Sequence, residues 1–434
     1  MIAKIGLKKM NFNKESLAIK TLLLSIVSLV SNSLGFLIPV YIGYKYKISS
    51  ETDNFFLSYS ILTFISTIFS FAVRGVSIPF LKEKLNDTNV FNEFVSTVYF
   101  YSIKYVGGLS VLVLCATLTS LLISGNSTFY YLSIGVPIIL LTTINSFFYG
   151  IFNSVDKFYI AESTPLIRAV VVLIMIFLFS ETFGIGAVII GYSLGEFAKF
   201  IQLYYVLNSK LSITLSLKNR DFSVIRTFVK EGSNQIISTT LVSINPLVDR
   251  LVASFLIVGS ISIIDYGDKI FVIFNVLLNS FLTLILSKWS NEAIKNKFDL
   301  SKLEKIIKVV FFAAVSALIV IFIVKHELIS RIYPTFSAND KELIATLLVI
   351  NMIGFVFNSV SQVINRASIV LKQTKIMITT SGFRVAANVV FDVLFAVKWG
   401  VIGICISSAG VHFVGLTVNY YLFRRNYKKN AFNV

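Results

Sequence analysis

Apolar runs of about 20 residues recur along almost the whole chain, and they constrain the fold more than any other feature. A helix of this length spans the hydrocarbon core of a bilayer. Only 14% of the residues are charged, against about 25% in soluble domains. The pattern predicts an all-α polytopic membrane protein with about twelve transmembrane helices, at residues 17–43, 53–81, 92–123, 128–152, 159–180, 184–208, 233–258, 262–286, 306–324, 342–366, 376–397 and 399–423.

The predicted spans fall into two sets of six on either side of a polar segment at 209–232. Because six is even, both halves enter the membrane in the same direction, an arrangement typical of transporters whose sites lie between parallel repeats. TDNFFLSYSI at 52–61 faintly resembles SISIIDYGDKI at 260–270, since each places an acid and then an aromatic near the start of a span. We predict two pseudo-symmetric units, an N-terminal six-helix bundle (1–210) and a C-terminal six-helix bundle (233–434), joined by a cytoplasmic linker (211–232).

The positive charges indicate the orientation of the chain in the membrane. Of 39 Lys and Arg residues, 26 lie in or beside segments assigned to the inner side and six lie in the outer loops. This bias predicts a multi-pass protein of the cell inner (cytoplasmic) membrane with both termini in the cytoplasm. The net charge of +17 is then explained by topology, and nucleic acid is not an expected partner.

Seven cations nevertheless lie inside predicted spans. Lys104 and Lys199 are near the inner ends, where a long side chain can reach the membrane surface. The other five lie about 10–15 Å deep at 1.5 Å per residue, and each costs about 2.5–3.5 kcal/mol at the centre of a span. These five residues are Arg74, Arg168, Arg250, Lys269 and Arg384.

Two interpretations explain these buried charges. They could form structural ion pairs with intramembrane acids, and Glu196 with Lys199 has the i, i+3 spacing of a helix-face pair. Alternatively, the five deep cations line a water-filled cavity between the bundles and bind an anionic substrate, since Lys and Arg suit phosphate. We favour the cavity. The candidate acidic partners are Asp53, Glu162, Glu196, Asp249, Asp265, Asp268 and Asp392.

Other chemistry finds little support in the sequence. Cys115 and Cys405 each fall inside a predicted span, so no disulfide is expected. His326 and His412 stand apart from any Cys/His/Asp cluster, so neither a metal site nor a cofactor is predicted, apart from a coupling cation or proton. The outer loops are short, the longest being 325–341, which disfavours an enzyme. A structural scaffold would leave the buried charges without a role.

Three segments resemble the MurJ-type lipid flippases. VDRLVASFLIVGSISIIDYGDKI at 248–270 is similar to the family's junction between its seventh and eighth spans. LGFLIPVYIG with ETDNFFLSYSI and SIPFLKE, within 34–83, is similar to its start, and GIFNSVDKFYIAESTPLIR at 150–168 to the motif after its fourth span. The resemblance implies the wider superfamily of multidrug, oligosaccharidyl-lipid and polysaccharide exporters (MOP), with a MATE/MurJ-like fold. That superfamily also holds the Wzx-type oligosaccharide flippases and the MATE exporters.

The resemblance also suggests roles for individual residues. The family's acid at the start of the second span falls on Asp53, and its cavity arginine falls on Lys269, after Tyr266 and Asp268. The predicted substrate-binding residues are therefore Lys269, Arg250, Arg74, Arg168 and Arg384. The predicted coupling or gating residues are Asp53, Asp268, Asp265, Tyr266 and Asp249.

Departures from the family pattern bear on the cargo. The arginines of the first two MurJ spans fall near Asn32, Ile38, Ser66 and Thr67, and this sequence ends after about twelve spans, whereas MurJ has two more. We therefore predict a flippase for a polyprenyl-diphosphate-linked oligosaccharide, an O-antigen or capsule repeat unit, working by alternating access. Expected partners are that glycan lipid, the bilayer and other glycan-assembly membrane proteins. The alternatives are a lipid II flippase, for the peptidoglycan precursor, and a MATE-like drug/cation antiporter, whose cargo would favour an acidic cavity.

Overall fold

A computed structural model describes residues 30, 34–85, 87–155, 157–211, 213–216, 222–294, 299–371, 373 and 375–431. Every regular element in these ranges is helical, which confirms the predicted all-α fold. The helices are α1 (34–46), α2 (Ser50–Lys84), α3 (Thr88–Ser102), α4 (Gly108–Ser124), α5 (Ser127–Gly135), α6 (Pro137–Ser154), α7 (Phe158–Phe183), α8 (Gly186–Leu211), α9 (Phe222–Ala253), α10 (Ser260–Ile294), α11 (Leu300–Ile332), α12 (Ala338–Val370) and α13 (Lys375–Ala431), with a π-helical turn at Ile103–Gly107.

Helices cover most of the predicted spans within the described ranges, although α9 ends at Ala253, before the predicted end of its span at residue 258. Most of the first span, 17–43, lies outside those ranges. Seven helical stretches in the described part are long and apolar enough to cross a bilayer. Large apolar side chains on these helices face outward, and Leu122, Phe177 and Val397 are each more than 80% exposed. Such surfaces are stable in lipid rather than in water. The chain is a multi-pass membrane protein.

Local sequence explains where several helices begin and bend. Gly400 adopts a φ of 57° within α13, and this break lies at the start of the predicted span 399–423, next to the end of the span 376–397. A side-chain oxygen in the preceding loop accepts a backbone N–H at the start of four helices, which satisfies donors that lack a partner in the first turn. These capping residues are Asp87 for α3, Asn126 for α5, Asp299 for α11 and Ser337 for α12.

The chain forms two compact units. The first comprises Met1–Ile38 and Ser58–Thr240, and the second comprises Pro39–Leu57 and Leu241–Val434. The unit boundaries therefore differ from those of the predicted bundles, because residues 39–57 group with the second unit. Residues 222–232 of the predicted linker form the start of α9.

Close packing of α7 and α8 in the first unit brings charged residues together. A Cβ atom at Gly195 would lie 2.9 Å from Cγ of Arg168, and one at Gly191 would lie 3.0 Å from Cα of Val172. Two glycines one turn apart thus let the helices approach, as small residues commonly do in membranes. Arg168 of α7 is placed against the part of α8 that carries Glu196.

Candidate functional site

The second unit contains a cavity of about 430 Å³ between helices α9, α10, α12 and α13. This volume falls within the range of small-molecule sites, about 300–1,000 Å³. Three of the predicted substrate-binding cations line it, together with two of the predicted acids. The charged and amide residues of the wall are Arg250, Lys269, Arg384, Asp249, Asp268, Asn245, Asn275, Asn351, Asn358, Gln362 and Asn388.

Arg250 is buried and held by two carboxylates of α10. Its Nη2 lies 2.5 Å from Oδ1 of Asp265 and 3.1 Å from Oδ2 of Asp268, and its Nε donates to Asp265 at 3.2 Å. Its Nη1 donates to the backbone carbonyl of Pro246, one turn earlier on α9, at 2.9 Å. The guanidinium is thus fixed in place by α10 and by its own helix.

Lys269 shares the same carboxylate. Its Nζ lies 3.2 Å from Oδ2 of Asp265, an i, i+4 pair on α10, and its side chain is partly exposed at the cavity. Asp268 also accepts a hydrogen bond from Nδ2 of Asn351 on α12, at 3.2 Å. Two cations and two carboxylates therefore form one connected network, of which Arg250, Lys269 and Asp268 line the cavity.

Asp249 points away from this network although it is adjacent to Arg250 in sequence. Its two oxygens accept hydrogen bonds from Nδ2 of Asn388 at 2.8 Å and from Oγ of Ser408 at 3.0 Å, both on α13. The amide of Asn388 also lies 3.3 Å from Oδ2 of Asp392. Among the described residues, Asp249 has neutral hydrogen-bond donors and forms no ion pair.

Arg384 of α13 lies apart from all of these acids. Its Nη2 donates to Oγ of Ser361 at 2.8 Å, and its Nε is buried with no hydrogen-bond acceptor in the described part of the chain. A Cβ atom at Gly415 would lie 1.9 Å from that Nε. The guanidinium therefore rests directly on the backbone of the second half of α13.

The first unit holds the remaining deep cations, each near a carboxylate. Glu196 is buried, and it accepts hydrogen bonds from Nζ of Lys199 at 2.9 Å, Nη1 of Arg168 at 3.1 Å and Nδ2 of Asn145 at 2.8 Å. Lys199 thus forms the predicted i, i+3 pair and stays buried rather than extending to the membrane surface. Two cations share one carboxylate, so Arg168 and Lys199 are only partly neutralised by Glu196.

Arg74 and Lys104 are less enclosed. The guanidinium of Arg74 lies 4.0 Å from Glu162 and 4.4 Å from the centroid of the Tyr149 ring. Lys104 is exposed within the π-helical turn and lies 5.8 Å from the centroid of the Tyr105 ring. Both cations gain from the negative face of an aromatic ring.

Asp53 and Tyr266, two of the predicted coupling residues, make contacts to backbone. The carboxylate of Asp53 accepts hydrogen bonds from the backbone N–H of Gly259 at 2.5 Å and of Ser262 at 2.8 Å, and thereby caps the start of α10. Tyr266 is fully buried, and its hydroxyl donates to the carbonyl of Lys47 at 2.8 Å. Neither side chain lines the cavity described above.

Comparison with known proteins settles the family. A family profile described as "Lipid II flippase MurJ" matches residues 47–434, which is most of the chain. The chain belongs to the MurJ family.

Individual relatives of the MurJ family agree. The lipid II flippase MurJ of Thermosipho africanus is 23% identical over 94% of this chain and 86% of its own length. The probable lipid II flippase MurJ of Buchnera aphidicola subsp. Baizongia pistaciae is 25% identical over 73% of this chain, and the chain spans 66% of that relative.

Solved structures share the fold. The structure titled "Lipid II flippase MurJ, inward closed conformation" has a TM-score of 0.79 at 22% identity, covering 93% of this chain and 87% of its own. An inward-facing multidrug resistance MATE transporter of the MOP superfamily has a TM-score of 0.72 at 12% identity, covering 93% of this chain and 98% of its own. The predicted MATE/MurJ-like fold and the MOP superfamily are confirmed.

Membership of the MurJ family decides several predictions. The chain is a flippase-family protein of the cytoplasmic membrane and not an enzyme. The lipid II alternative is better supported than the O-antigen or capsule carrier that the sequence departures favoured. One of those departures, Asn32, lies outside the described residues. The N-in, C-in orientation remains a prediction.

The neutral polar residues of the cavity are not among the residues predicted from the sequence. Asn351, Asn358 and Gln362 occur at steps of seven and four along α12, so they share one face of an otherwise apolar helix. Ser381, Arg384 and Asn388 make a similar stripe on α13. Helical spacing of amides within predicted spans could have identified both stripes.

Replacing Asp53 with Ala should destabilise this MurJ-family protein by about 2 kcal/mol, because two backbone donors at the start of α10 would lose their acceptor. Asp53→Asn keeps one carbonyl oxygen and should lose less. Thermal unfolding of the purified protein in detergent measures both variants. Equal stability of Asp53→Ala and the unchanged protein would show that the cap is dispensable.

Proposed function

We propose that this chain translocates lipid II, the lipid-linked peptidoglycan precursor, across the cytoplasmic membrane by alternating access. The observation that carries the proposal is the polar, cation-lined cavity of about 430 Å³ in a chain of the MurJ family. The relatives named above carry the words "lipid II flippase" in their descriptions. We assign this cargo to the chain because of its similarity to those relatives.

The physical need for such a cavity follows from the cargo. A diphosphate and its attached polar groups cannot cross hydrocarbon unaided, because each unpaired polar group costs several kcal/mol there. The cavity wall offers guanidinium and ammonium groups for phosphate and carboxamides for the other polar groups. A polyprenyl tail can meanwhile stay in lipid, where it is already soluble.

The proposed substrate-binding residues lie in different parts of the structure. Arg250, Lys269 and Arg384 line the cavity of the second unit. Arg168 in the first unit is a candidate because Glu196 already pairs with Lys199, which leaves Arg168 incompletely neutralised. Arg74 is a candidate because its carboxylate partner is distant, at 4.0 Å.

Among the proposed coupling residues, Asp249 is the best placed to bind a cation or proton. Asp265 and Asp268 are paired with Arg250, and Asp53 is occupied by backbone donors. Asp249 meets neutral donors, and Asn388 links it to Asp392. Two carboxylates on one amide are stabilised when one is protonated or when a cation binds nearby.

The test is replacement of a host's own lipid II flippase. In a bacterium depleted of that protein, expression of this chain should restore growth and the appearance of lipid II on the outer surface. Proteoliposomes carrying fluorescent lipid II should show transbilayer movement, measured by quenching from outside. Lys269→Ala should slow that movement about tenfold, equivalent to about 1.4 kcal/mol, because the cavity loses a positive charge.

Lys325→Ala is the matched control, because Lys325 is a partly exposed lysine of α11 that does not line the cavity. It should leave movement unchanged. A second host lacking its O-antigen flippase separates the cargo classes. Rescue of O-antigen display without rescue of lipid II transport would overturn the proposal in favour of the oligosaccharide carrier.

A further inference from the structure

The cavity's three cations differ in how far acidic residues neutralise them. Arg250 and Lys269 share Asp265, and Arg250 also pairs with Asp268. An incoming anion would have to compete with these carboxylates, which are already in contact. These two cations therefore present less free charge to a ligand than their number suggests.

Arg384 is the exception among the cavity's cations. No carboxylate of the described residues lies within 4.0 Å of its guanidinium, and its one hydrogen bond there goes to the neutral hydroxyl of Ser361. Its Nε is buried and has no hydrogen-bond acceptor among the residues that the structure describes. A guanidinium has five N–H donors, and a buried charge without a partner is costly, so a ligand that supplies acceptors would relieve that cost.

The surroundings of Arg384 suit an anion. His412 lines the same cavity one turn before Gly415, and its Nδ1 is also buried without a partner in the described part of the chain. Ser381, Gln362 and Asn358 add neutral groups that can donate hydrogen bonds. Gly415 leaves the space that the guanidinium occupies, since any larger residue would displace it.

We propose that Arg384, with His412 on the same wall, is the point at which the cavity binds a phosphate group of the lipid-linked cargo. Arg250 and Lys269 then shape the cavity and its electrostatic potential, while Arg384 binds the anion by donating two N–H hydrogen bonds to it. This inference rests on the proposed function for the source of the phosphate.

The experiment is calorimetric titration of the purified full-length chain in detergent with two ligands, sodium pyrophosphate and undecaprenyl diphosphate. Arg384→Gln should weaken binding of both about 10- to 100-fold, because hydrogen bonds to a charged group are lost. Arg384→Lys should weaken it less, since the charge remains. Gly415→Ala keeps Arg384 but displaces its guanidinium, and it should also weaken binding.

The matched control is Arg331→Gln, which removes an exposed arginine of α11 paired with Glu327. It should leave both affinities unchanged, and gel filtration should show that every variant remains folded. Tight binding of both ligands by Arg384→Gln would overturn the inference and leave the proposed function standing.

Two further outcomes separate the inference from the proposed function. Arg384-dependent binding of pyrophosphate without binding of undecaprenyl diphosphate would support the anion site and contradict a lipid diphosphate as cargo. Failure of the unchanged protein to bind either ligand would overturn the inference. Lipid II movement in proteoliposomes would then still test the proposed function by itself.

Discussion

Replacing Arg250 with Ala is expected to destabilise the protein by about 3–5 kcal/mol, the cost of breaking a buried ion pair from one side. Arg250 is 6% exposed and Asp265 is 2% exposed. Without the guanidinium, the partners left among the described residues would be Lys269 for Asp265 and the amide of Asn351 for Asp268. Thermal or chemical unfolding of the purified protein in detergent measures the loss.

A double replacement separates the charge from the packing. Arg250→Met with Asp265→Leu removes both charges and keeps apolar volume, so it should recover most of the stability lost by Arg250→Ala. The matched control is Arg331→Ala, an exposed pair with Glu327, which should change stability by less than about 1 kcal/mol. A loss of that small size for Arg250→Ala would mean that the network does not hold α9 to α10.

Replacing Glu196 with Gln is expected to cost about 3–5 kcal/mol in the first unit. Glu196 is 1% exposed, and both Lys199 and Arg168 depend on its charge. The amide would leave two cations near each other without a counter-charge. Unfolding in detergent again gives the magnitude, and limited proteolysis reports whether the first unit opens.

Glu162→Gln is the control for that prediction. Glu162 is partly exposed and lies 4.0 Å from Arg74, so its loss should cost no more than about 1 kcal/mol. If the Glu162 and Glu196 variants were equally stable, the buried cluster would contribute no more to the free energy of unfolding than an exposed ion pair does. Adding Lys199→Met to Glu196→Gln should return part of the stability.

Sequence periodicity was sufficient for the fold. Apolar runs predicted the helices, and the positive φ at Gly400 lies within three residues of the predicted boundary between spans 376–397 and 399–423. The local pair of Glu196 and Lys199 was also predictable, because residues three apart share a helix face. Both results depend on neighbours in sequence.

The partners of the deep arginines were not predictable in the same way. Arg250 pairs with residues 15 and 18 positions later, and Arg168 with one 28 positions later, so each pair requires two helices to be packed in register. Asp53 caps a helix more than 200 residues away, through backbone groups that carry no sequence signal. The neutral residues of the cavity were not predicted, because a single amide within an apolar span has no distinctive sequence signal.

Prediction of the cargo from the sequence has a different limit, which is the comparison of single aligned positions. At about 23% identity, arginines of the family pattern fall on Ser66 and Thr67, although other cations lie within the same and later helices. Charge can be supplied from a neighbouring position while the cavity keeps its sign. The arginines missing at aligned positions favoured another cargo, whereas the family match along most of the chain supports the lipid II alternative better.

The amide stripe of α12 has a consequence for which molecules the cavity can hold. The carboxamides of Asn358 and Gln362 can turn over and exchange donor end for acceptor end, whereas the amide of Asn351 donates to Asp268. A wall of this kind adapts to hydroxyl and peptide groups in many positions without losing a bond. The α12 wall would tolerate head groups of different chemistry. Selectivity would then depend on the one group of the ligand that carries the negative charge.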